Sequence, residues 1–201
     1  MIRNDLDSNT AEKLIRKLKY WYIPAFQGNC LFPVSLRPMV KMMAKRYNNW
    51  KSLVGCEVGV FRGWNAFNML YNLPIKKLYL VDPYENCKSY KMKTDPKDNL
   101  NACRKHLRKY TNKIVFVKKL SHKAIDEIPE LDFCYIDANH GYEYVKRDIN
   151  LYYQKIKKGG ILGGHDFHID DIGVIYAVLE FIKENNLELH GHPRDWWVIK
   201  K

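Results

Sequence analysis

Acidic and histidine side chains follow two apolar runs of the sequence, at the points where buried strands would end. Asp137 and His140 come directly after the run Leu131–Ile136, and His165 and Asp166 follow the next such run. Ligands of open α/β sheets bind at the carboxyl ends of the strands, so these groups would meet at one edge. Carboxylates and an imidazole can hold a divalent cation, and a free histidine can take up a proton near neutral pH. The alternative is that the aspartates only cap turns.

Polar residues also end two earlier apolar runs. The first run continues into Glu57–Gly63 (EVGVFRG), where glycines let the backbone turn tightly against a ligand. Glu57 puts a negative charge just before this turn, which disfavours a dinucleotide pyrophosphate and favours a ligand with a cationic amino group. Asp82 ends the second run, where an acid typically accepts hydrogen bonds from ribose hydroxyls. Together these residues predict a pocket for a nucleoside with an amine, although each alone could be an ordinary turn residue.

Alternating strands and helices would position these groups. The strand-like runs are Leu53–Val60, Leu78–Val81, Ile114–Val117, Leu131–Ile136 and Gly160–Gly164, with short candidates near Leu187–His190 and Trp196–Lys200. The helix-length segments are Asn65–Asn72, Lys97–Tyr110, Ala124–Glu127, Tyr142–Lys157 and Ile172–Asn185. Unbroken apolar runs are typical of strands buried on both faces. The alternation therefore predicts an α/β protein with a doubly wound, mostly parallel sheet.

The first fifty residues show a different pattern. Apolar residues recur at helical spacing from Ala11 to Tyr22, behind the capping pattern Asn9-x-x-Glu12, and Met39–Tyr47 is predicted to be a basic helix. We expect residues 1–50 to form a helical cap on a domain of residues 51–201, within one structural domain overall.

Composition limits the class of protein. The 201 residues suffice for one full core, which excludes disorder and a multidomain assembly. Lys and Arg number 34 against 22 Asp and Glu, so the net charge of +12 favours anionic partners without naming one. The sequence has no long apolar window and no signal-peptide pattern, so we expect a cytoplasmic protein without membrane contact. Its five cysteines, without a CxxC pair, are interpreted as buried thiols.

Three stretches together resemble class I S-adenosylmethionine-dependent methyltransferases, and among them the metal-assisted O-methyltransferases of the catechol and macrocin sugar types. They are Glu57–Gly63, Leu80–Pro83 and the long run from Ile136 to Asp166. The resemblance covers the chain from about Lys51 onward. It implies a Rossmann-like methyltransferase fold with a seven-stranded sheet, S-adenosylmethionine as the cofactor, and a small molecule or sugar as the acceptor.

The resemblance also implies which residues bind the cofactor. They are Glu57, Gly59, Gly63, Asn65, Asp82, Ser121, His122 and Asp137. The first two would flank the methionine portion of the cofactor, and Asn65 would approach its carboxylate. Asp82 would hold the ribose, and Ser121 and His122 would border the adenine.

By the same resemblance, Asp137 matches the metal-ligating acid, and His165 and Asp166 stand where the family usually has Asp-Asp or Asp-Asn. The histidine departs from that pattern, so the ion is expected to be Mg or Mn, with His165 either a ligand or a supporting residue. His140 stands at the position of the general base, which would take the proton of an acceptor hydroxyl before that oxygen attacks the sulfonium methyl group.

Three alternatives remain at this stage. The net charge and the basic stretch Arg104–Lys109 are compatible with an RNA methyltransferase of the same fold, although that class normally uses a lysine-centred catalytic set. A non-catalytic cofactor-binding scaffold is disfavoured by the presence of both Asp137 and His140. A dinucleotide-dependent oxidoreductase would need the missing GxGxxG motif. The oligomeric state is not predicted.

Overall fold

A seven-stranded sheet lies at the centre of the structure, a computed structural model that describes residues 36–49, 52–86, 94–192 and 194–201. The strands are β1 (Leu53–Val58), β2 (Ile75–Val81), β3 (Ile114–Val117), β4 (Leu131–Ile136), β5 (Ile156–Phe167), β6 (His190–His192) and β7 (Arg194–Ile199). Their order in the sheet is β3-β2-β1-β4-β5-β7-β6. Strands β1 to β5 are parallel, and β7 runs antiparallel to both neighbours. The predicted doubly wound, mostly parallel sheet is confirmed.

Helices cover both faces of this sheet. They are α1 (Pro38–Arg46), α2 (Trp64–Asn72), α3 (Pro96–His106), α4 (Ser121–Ala124), α5 (Tyr142–Lys155) and α6 (Ile172–Glu184). Strand β4 is buried along its whole length, with Cys134 in the core beneath α5 and α6 and Phe133 in the core beneath α1 and α2. This two-sided burial explains why the strand sequence is an unbroken apolar run rather than an alternating one.

Local chemistry sets where several helices begin. Pro38 opens α1 and Pro96 opens α3, positions where the missing N–H of proline costs no helical hydrogen bond. The Asp95 carboxylate caps α3 by accepting a hydrogen bond from the Lys97 N–H at 2.7 Å. Helix α3 ends at His106 and a separate 3₁₀ turn follows, so the predicted helix Lys97–Tyr110 is broken into two pieces.

Helix α1 belongs to the core, which corrects the prediction that it is part of a cap. Met39, Val40 and Met43 are fully buried, and the helix packs against α2, β6 and β7. A side chain at Gly163 of β5 would lie 2.6 Å from the Met39 sulfur, so the glycine makes room for the helix. The compact unit that contains all described residues begins at Phe32. The predicted first helix, from residue 11 to residue 22, lies outside the described residues.

The strand predicted near Leu187–His190 begins later, at His190. Leu187 and Leu189 pack against the core from the preceding coil, so their apolar character reflects burial rather than strand pairing. Three cysteines are described, Cys56, Cys103 and Cys134, and all are buried free thiols, as expected. Among the described residues, none of the helices is long and apolar enough to cross a membrane.

One buried carboxylate ties three central strands together at the amino end of β4. Asp132 Oδ2 accepts a hydrogen bond from the Val54 N–H at 2.7 Å, and Asp132 Oδ1 forms an ion pair with Lys157 Nζ at 2.8 Å. These contacts join β4 to β1 and β5. They lie at the amino ends of the strands, whereas Asp137 follows the carboxyl end of β4.

We expect Asp132→Ala to lower the free energy of unfolding by about 2–3 kcal/mol, because it leaves the Val54 N–H without an acceptor and Lys157 without its counter-ion. Urea denaturation of the full chain measures the change. Lys157→Met is the matched control: the Lys157 side chain is 42% exposed, so its loss should cost about 1 kcal/mol or less. Equal losses in the two variants would contradict the assignment of the larger share to the Val54 hydrogen bond.

Candidate active site

A cavity of about 460 Å³ opens at the carboxyl ends of β1, β2 and β4. Eight of the residues singled out in the sequence line it: Glu57, Gly59, Asn65, Asp82, Ser121, His122, Asp137 and His140. Gly63, His165 and Asp166 are not part of its wall. The strand ends therefore bring most of the predicted site residues together, as expected for an open parallel sheet.

Glu57 and Asn65 form a buried pair with unused acceptors. Glu57 is 1% exposed, and its Oε1 accepts a hydrogen bond from Asn65 Nδ2 at 2.9 Å. Glu57 Oε2 and Asn65 Oδ1 are buried without a partner. Burial raises the pKa of Glu57 to about 8, so the carboxyl group is neutral at pH 7 while the cavity is empty. Once Glu57 is ionised, Glu57 Oε2 and Asn65 Oδ1 are two acceptors without a partner, a pair that suits an ammonium group better than the predicted carboxylate.

Gly59 is required where the turn after β1 meets the end of β4. It adopts a φ of +86°, and a Cβ at this position would lie 2.0 Å from the Asp137 carbonyl oxygen. Gly63 serves the same turn differently: it precedes α2 with a φ of +75°, and a Cβ there would lie 2.7 Å from Cys103 Sγ. Its role is to start the helix beside the cavity.

Asp82 anchors this turn through backbone hydrogen bonds. Its Oδ2 accepts from the N–H groups of Val60 and Phe61 at 3.0 and 2.9 Å, and its Oδ1 accepts from the Tyr84 N–H at 2.9 Å. The carboxylate thus shapes the cavity wall in addition to lining it. Glu85, which the sequence patterns did not single out, is an exposed second acid on the same wall. The sequence feature that could have identified Glu85 is its position three residues after Asp82.

Ser121 and His122 lie at another part of the cavity, beside α5. Ser121 Oγ donates a hydrogen bond to the buried Asp148 Oδ1 at 2.7 Å, and Arg147 contacts the same two residues. Burial and the Arg147 charge lower the pKa of His122, which keeps its ring neutral at pH 7. Its Nδ1 is buried without a partner. The sequence patterns missed Arg147 and Asp148, because their positions on α5 depend on how that helix packs.

His140 lies among three carboxylates. Its Nε2 is 2.9 Å from Asp166 Oδ2 and 3.8 Å from Asp137 Oδ1, and its Nδ1 is 2.8 Å from Asp171 Oδ1. Hydrogen bonds with Asp137 and Asp166 raise the pKa of His140 to about 11. The sequence led us to expect a pKa near neutrality, whereas the carboxylates around the ring favour the protonated form.

Asp137, His140 and Asp166 each offer a ligand atom, and these atoms lie within 4.8 Å of one another. The predicted ligand set had His165 in place of His140. His165 Nδ1 instead pairs with Asp166 Oδ1 at 2.9 Å, and its Nε2 is 3.9 Å from Asp195 Oδ1. Asp166 has a φ of +56°, so regular strand geometry ends at this residue. The alternation of side chains between the two faces of the strand therefore does not decide which of the two residues reaches the site. His165 thus contacts Asp166 from outside the group formed by Asp137, His140 and Asp166.

Arg37 completes the cluster from the opposite end of the sequence. One of its terminal nitrogens lies 2.6 Å from Asp137 Oδ2 and 3.0 Å from the Tyr135 hydroxyl oxygen. The Tyr135 hydroxyl donates to the buried Asp195 Oδ1 at 2.8 Å, and Asp195 Oδ2 accepts from the Met39 N–H at 2.9 Å. Burial alone would raise the pKa of Asp137, but the hydrogen bonds and charges around it hold the pKa below its usual value.

Comparison with known proteins agrees with this geometry. Residues 56–167 match a family model described as a methyltransferase domain. An uncharacterised protein of Acanthamoeba polyphaga mimivirus is 31% identical over 120 residues, which are 55% of this chain and 50% of that protein. The chain therefore spans about half the length of this curated relative.

Solved structures share the fold. The O-methyltransferase NovP has a TM-score of 0.62 at 16% identity, covering 81% of this chain and 78% of that one. An O-methyltransferase from Bacillus cereus, solved in complex with S-adenosylhomocysteine (SAH), has a TM-score of 0.61 at 12% identity, covering 100% and 94%. The family match extends over more than half of the chain and includes the glycine turn, the acid after β2 and the cluster after β4. The protein therefore belongs to the S-adenosylmethionine-dependent class I methyltransferases.

Proposed function

We propose that the protein transfers the methyl group of S-adenosylmethionine to a hydroxyl group of a small molecule or sugar. The observation that carries this proposal is the position of Asp137 and His140, which share the wall of the cavity with Glu57 and Asn65. Acid–base groups at the edge of a cofactor pocket suit an acceptor whose oxygen must lose a proton. The similarity in fold to proteins named as O-methyltransferases supports the same reaction type.

The cavity offers a matching contact for each part of the cofactor, which supplies a methyl group already activated on a sulfonium. Glu57 Oε2 and Asn65 Oδ1 are the buried acceptors available to an ammonium group. We assign Asp82 and Glu85, which line the cavity, to the ribose hydroxyls, and Ser121 to the border of the adenine. Catalysis by this chain then consists largely of holding donor and acceptor in line and keeping water out.

We assign the proton transfer to His140 and cation binding to Asp137 and Asp166. A divalent cation such as Mg or Mn would act there as a Lewis acid that makes the acceptor hydroxyl more acidic. The donor types fit such an ion, since carboxylate oxygens of Asp137 and Asp166 lie within 4.8 Å of each other. The role of His140 requires its neutral form. The two aspartates must therefore be drawn away from the ring by another positive charge before His140 can accept a proton.

The buried Glu57 predicts proton release on cofactor binding. Its pKa of about 8 keeps it protonated at pH 7, and an ammonium group placed against Oε2 favours the ionised form. We expect SAH binding at pH 7 to release close to one proton, and binding at pH 9 to release almost none. Calorimetric titration in two buffers of different ionisation enthalpy measures this.

Glu57→Gln is the control for that experiment. It keeps the shape of the side chain but cannot ionise, so proton release should disappear and affinity should fall roughly ten- to hundredfold, the loss of one charge-assisted hydrogen bond. Undiminished proton release in Glu57→Gln would show that the proton comes from another group.

Variants of Asp82 and His140 should show that cofactor affinity and turnover depend on different residues. We expect Asp82→Ala to weaken SAH binding, because the turn at Val60 and Phe61 loses its acceptor. His140→Ala should lower kcat by about 10²–10⁴-fold and leave SAH affinity nearly unchanged. Calorimetry and initial rates with an accepted hydroxyl substrate check both. Equal losses of affinity and turnover in either variant would refute the division of roles.

A further inference from the structure

Basic side chains of the chain itself already occupy the oxygens of the acidic cluster. Asp137 Oδ2 contacts Arg37 at 2.6 Å, Asp166 Oδ2 contacts His140 Nε2 at 2.9 Å, and Asp166 Oδ1 contacts His165 Nδ1 at 2.9 Å. The two carboxylates that would hold a divalent ion are therefore neutralised without one. The fourth oxygen, Asp137 Oδ1, lies 3.8 Å from His140 Nε2. A cation that binds to any of the other three oxygens must replace the basic partner on that oxygen.

The three basic partners differ in the acid that they contact. The imidazoles of His140 and His165 both contact Asp166, whereas Arg37 is the partner of Asp137 Oδ2. A guanidinium stays charged at any pH at which the protein is folded, so Arg37 must be displaced as a whole. Two positive charges a few ångströms apart repel strongly in a site this poorly exposed, since the Arg37 and Asp137 side chains are 27% and 19% exposed.

Arg37 is also held by contacts that do not involve Asp137. The nitrogen that contacts Asp137 donates a second hydrogen bond to the Tyr135 hydroxyl, and the guanidinium carbon lies 5.4 Å above the Tyr135 ring centre. Tyr135 is fixed in turn by Asp195. On the other side of Arg37 the chain enters α1 at Pro38, and the next N–H, of Met39, is bound to the same Asp195. The guanidinium is thus positioned by the fold rather than by the acid alone.

We propose that Arg37 determines cation binding at the reaction centre: it competes with a divalent ion for Asp137 and keeps the affinity for that ion low. The inference rests on the proposed function only in treating Asp137 and Asp166 as the cation ligands. With Arg37 in place, the guanidinium supplies the positive charge beside Asp137. A divalent ion that binds to Asp137 Oδ2 must displace Arg37 from that oxygen, and any ion bound to Asp137 Oδ1 is repelled by the guanidinium beside it.

Mn²⁺ binding to the full chain tests the proposal, measured by calorimetry and by loss of the free Mn²⁺ electron paramagnetic resonance signal. We expect Arg37→Met to bind Mn²⁺ about tenfold more tightly than the wild type, or better. Arg46→Met is the matched control. It removes an arginine from the last turn of α1, where the side chain contacts the Gly159 carbonyl at 3.3 Å, and should leave the affinity unchanged. Adding Asp137→Asn to Arg37→Met should abolish the gain.

An Mn²⁺ affinity of Arg37→Met within twofold of the wild type overturns the proposal, and so does the absence of Mn²⁺ binding to that variant. Thermal melts establish that each variant is folded. If Arg37→Met does not fold, Arg37→Gln decides: its amide is neutral and can still donate hydrogen bonds, so a gain of about threefold supports competition and no gain overturns it. SAH titration of the same samples separates this result from a failure of the methyltransferase function, which would appear as loss of SAH binding in the wild type.

Discussion

The close contact between the ends of β1 and β4 is the constraint on which the site depends. The Asp137 N–H donates to the Val58 carbonyl at 2.7 Å. A side chain at Gly59 would collide with the Asp137 carbonyl oxygen, so only glycine fits there. The turn that contains Gly59 and the acid Asp137 therefore lie on the same wall of the cavity. This is the place where the strand order reverses, with β2 and β3 on one side and β5 on the other, and a crevice opens there because the connections diverge.

Buried acids around this contact are satisfied in different ways, and the differences indicate their roles. Burial raises the pKa of Asp82, and three backbone N–H groups that donate to its carboxylate offset part of that effect. Asp148 is held by Ser121 and Arg147. Glu57 has a single side-chain donor and keeps one oxygen without a partner. Incomplete satisfaction of a buried acid is costly, so it is expected where a ligand completes the set of donors.

Local sequence patterns were sufficient for the strands, most helices and the residues that directly follow each strand, because strand ends and caps depend on neighbouring residues. They failed where side chains meet across the fold. Arg37 contacts Asp137, which is 100 residues away, and directly precedes a helix that the sequence pattern assigned to a cap. His165 was predicted as a ligand from its place in the family resemblance, whereas the structure groups His140 with Asp137 and Asp166. No local sequence pattern pointed to Asp195, because its partners Tyr135 and Met39 come from distant parts of the chain.

The hydrogen bond from Met39 to Asp195 joins residues 156 positions apart, and Asp195 lies on a strand that inserts between β5 and β6. Closing so long a loop is among the slower events in folding, because ordering the intervening chain precedes the gain in contacts. The residues that line the nucleoside end of the cavity all come from the sequence between Glu57 and Asp148. The positions of Tyr135 and Arg37 beside Asp137 therefore depend on β7, the last strand of the sequence, so damage to that strand would disturb the acidic group from a distance.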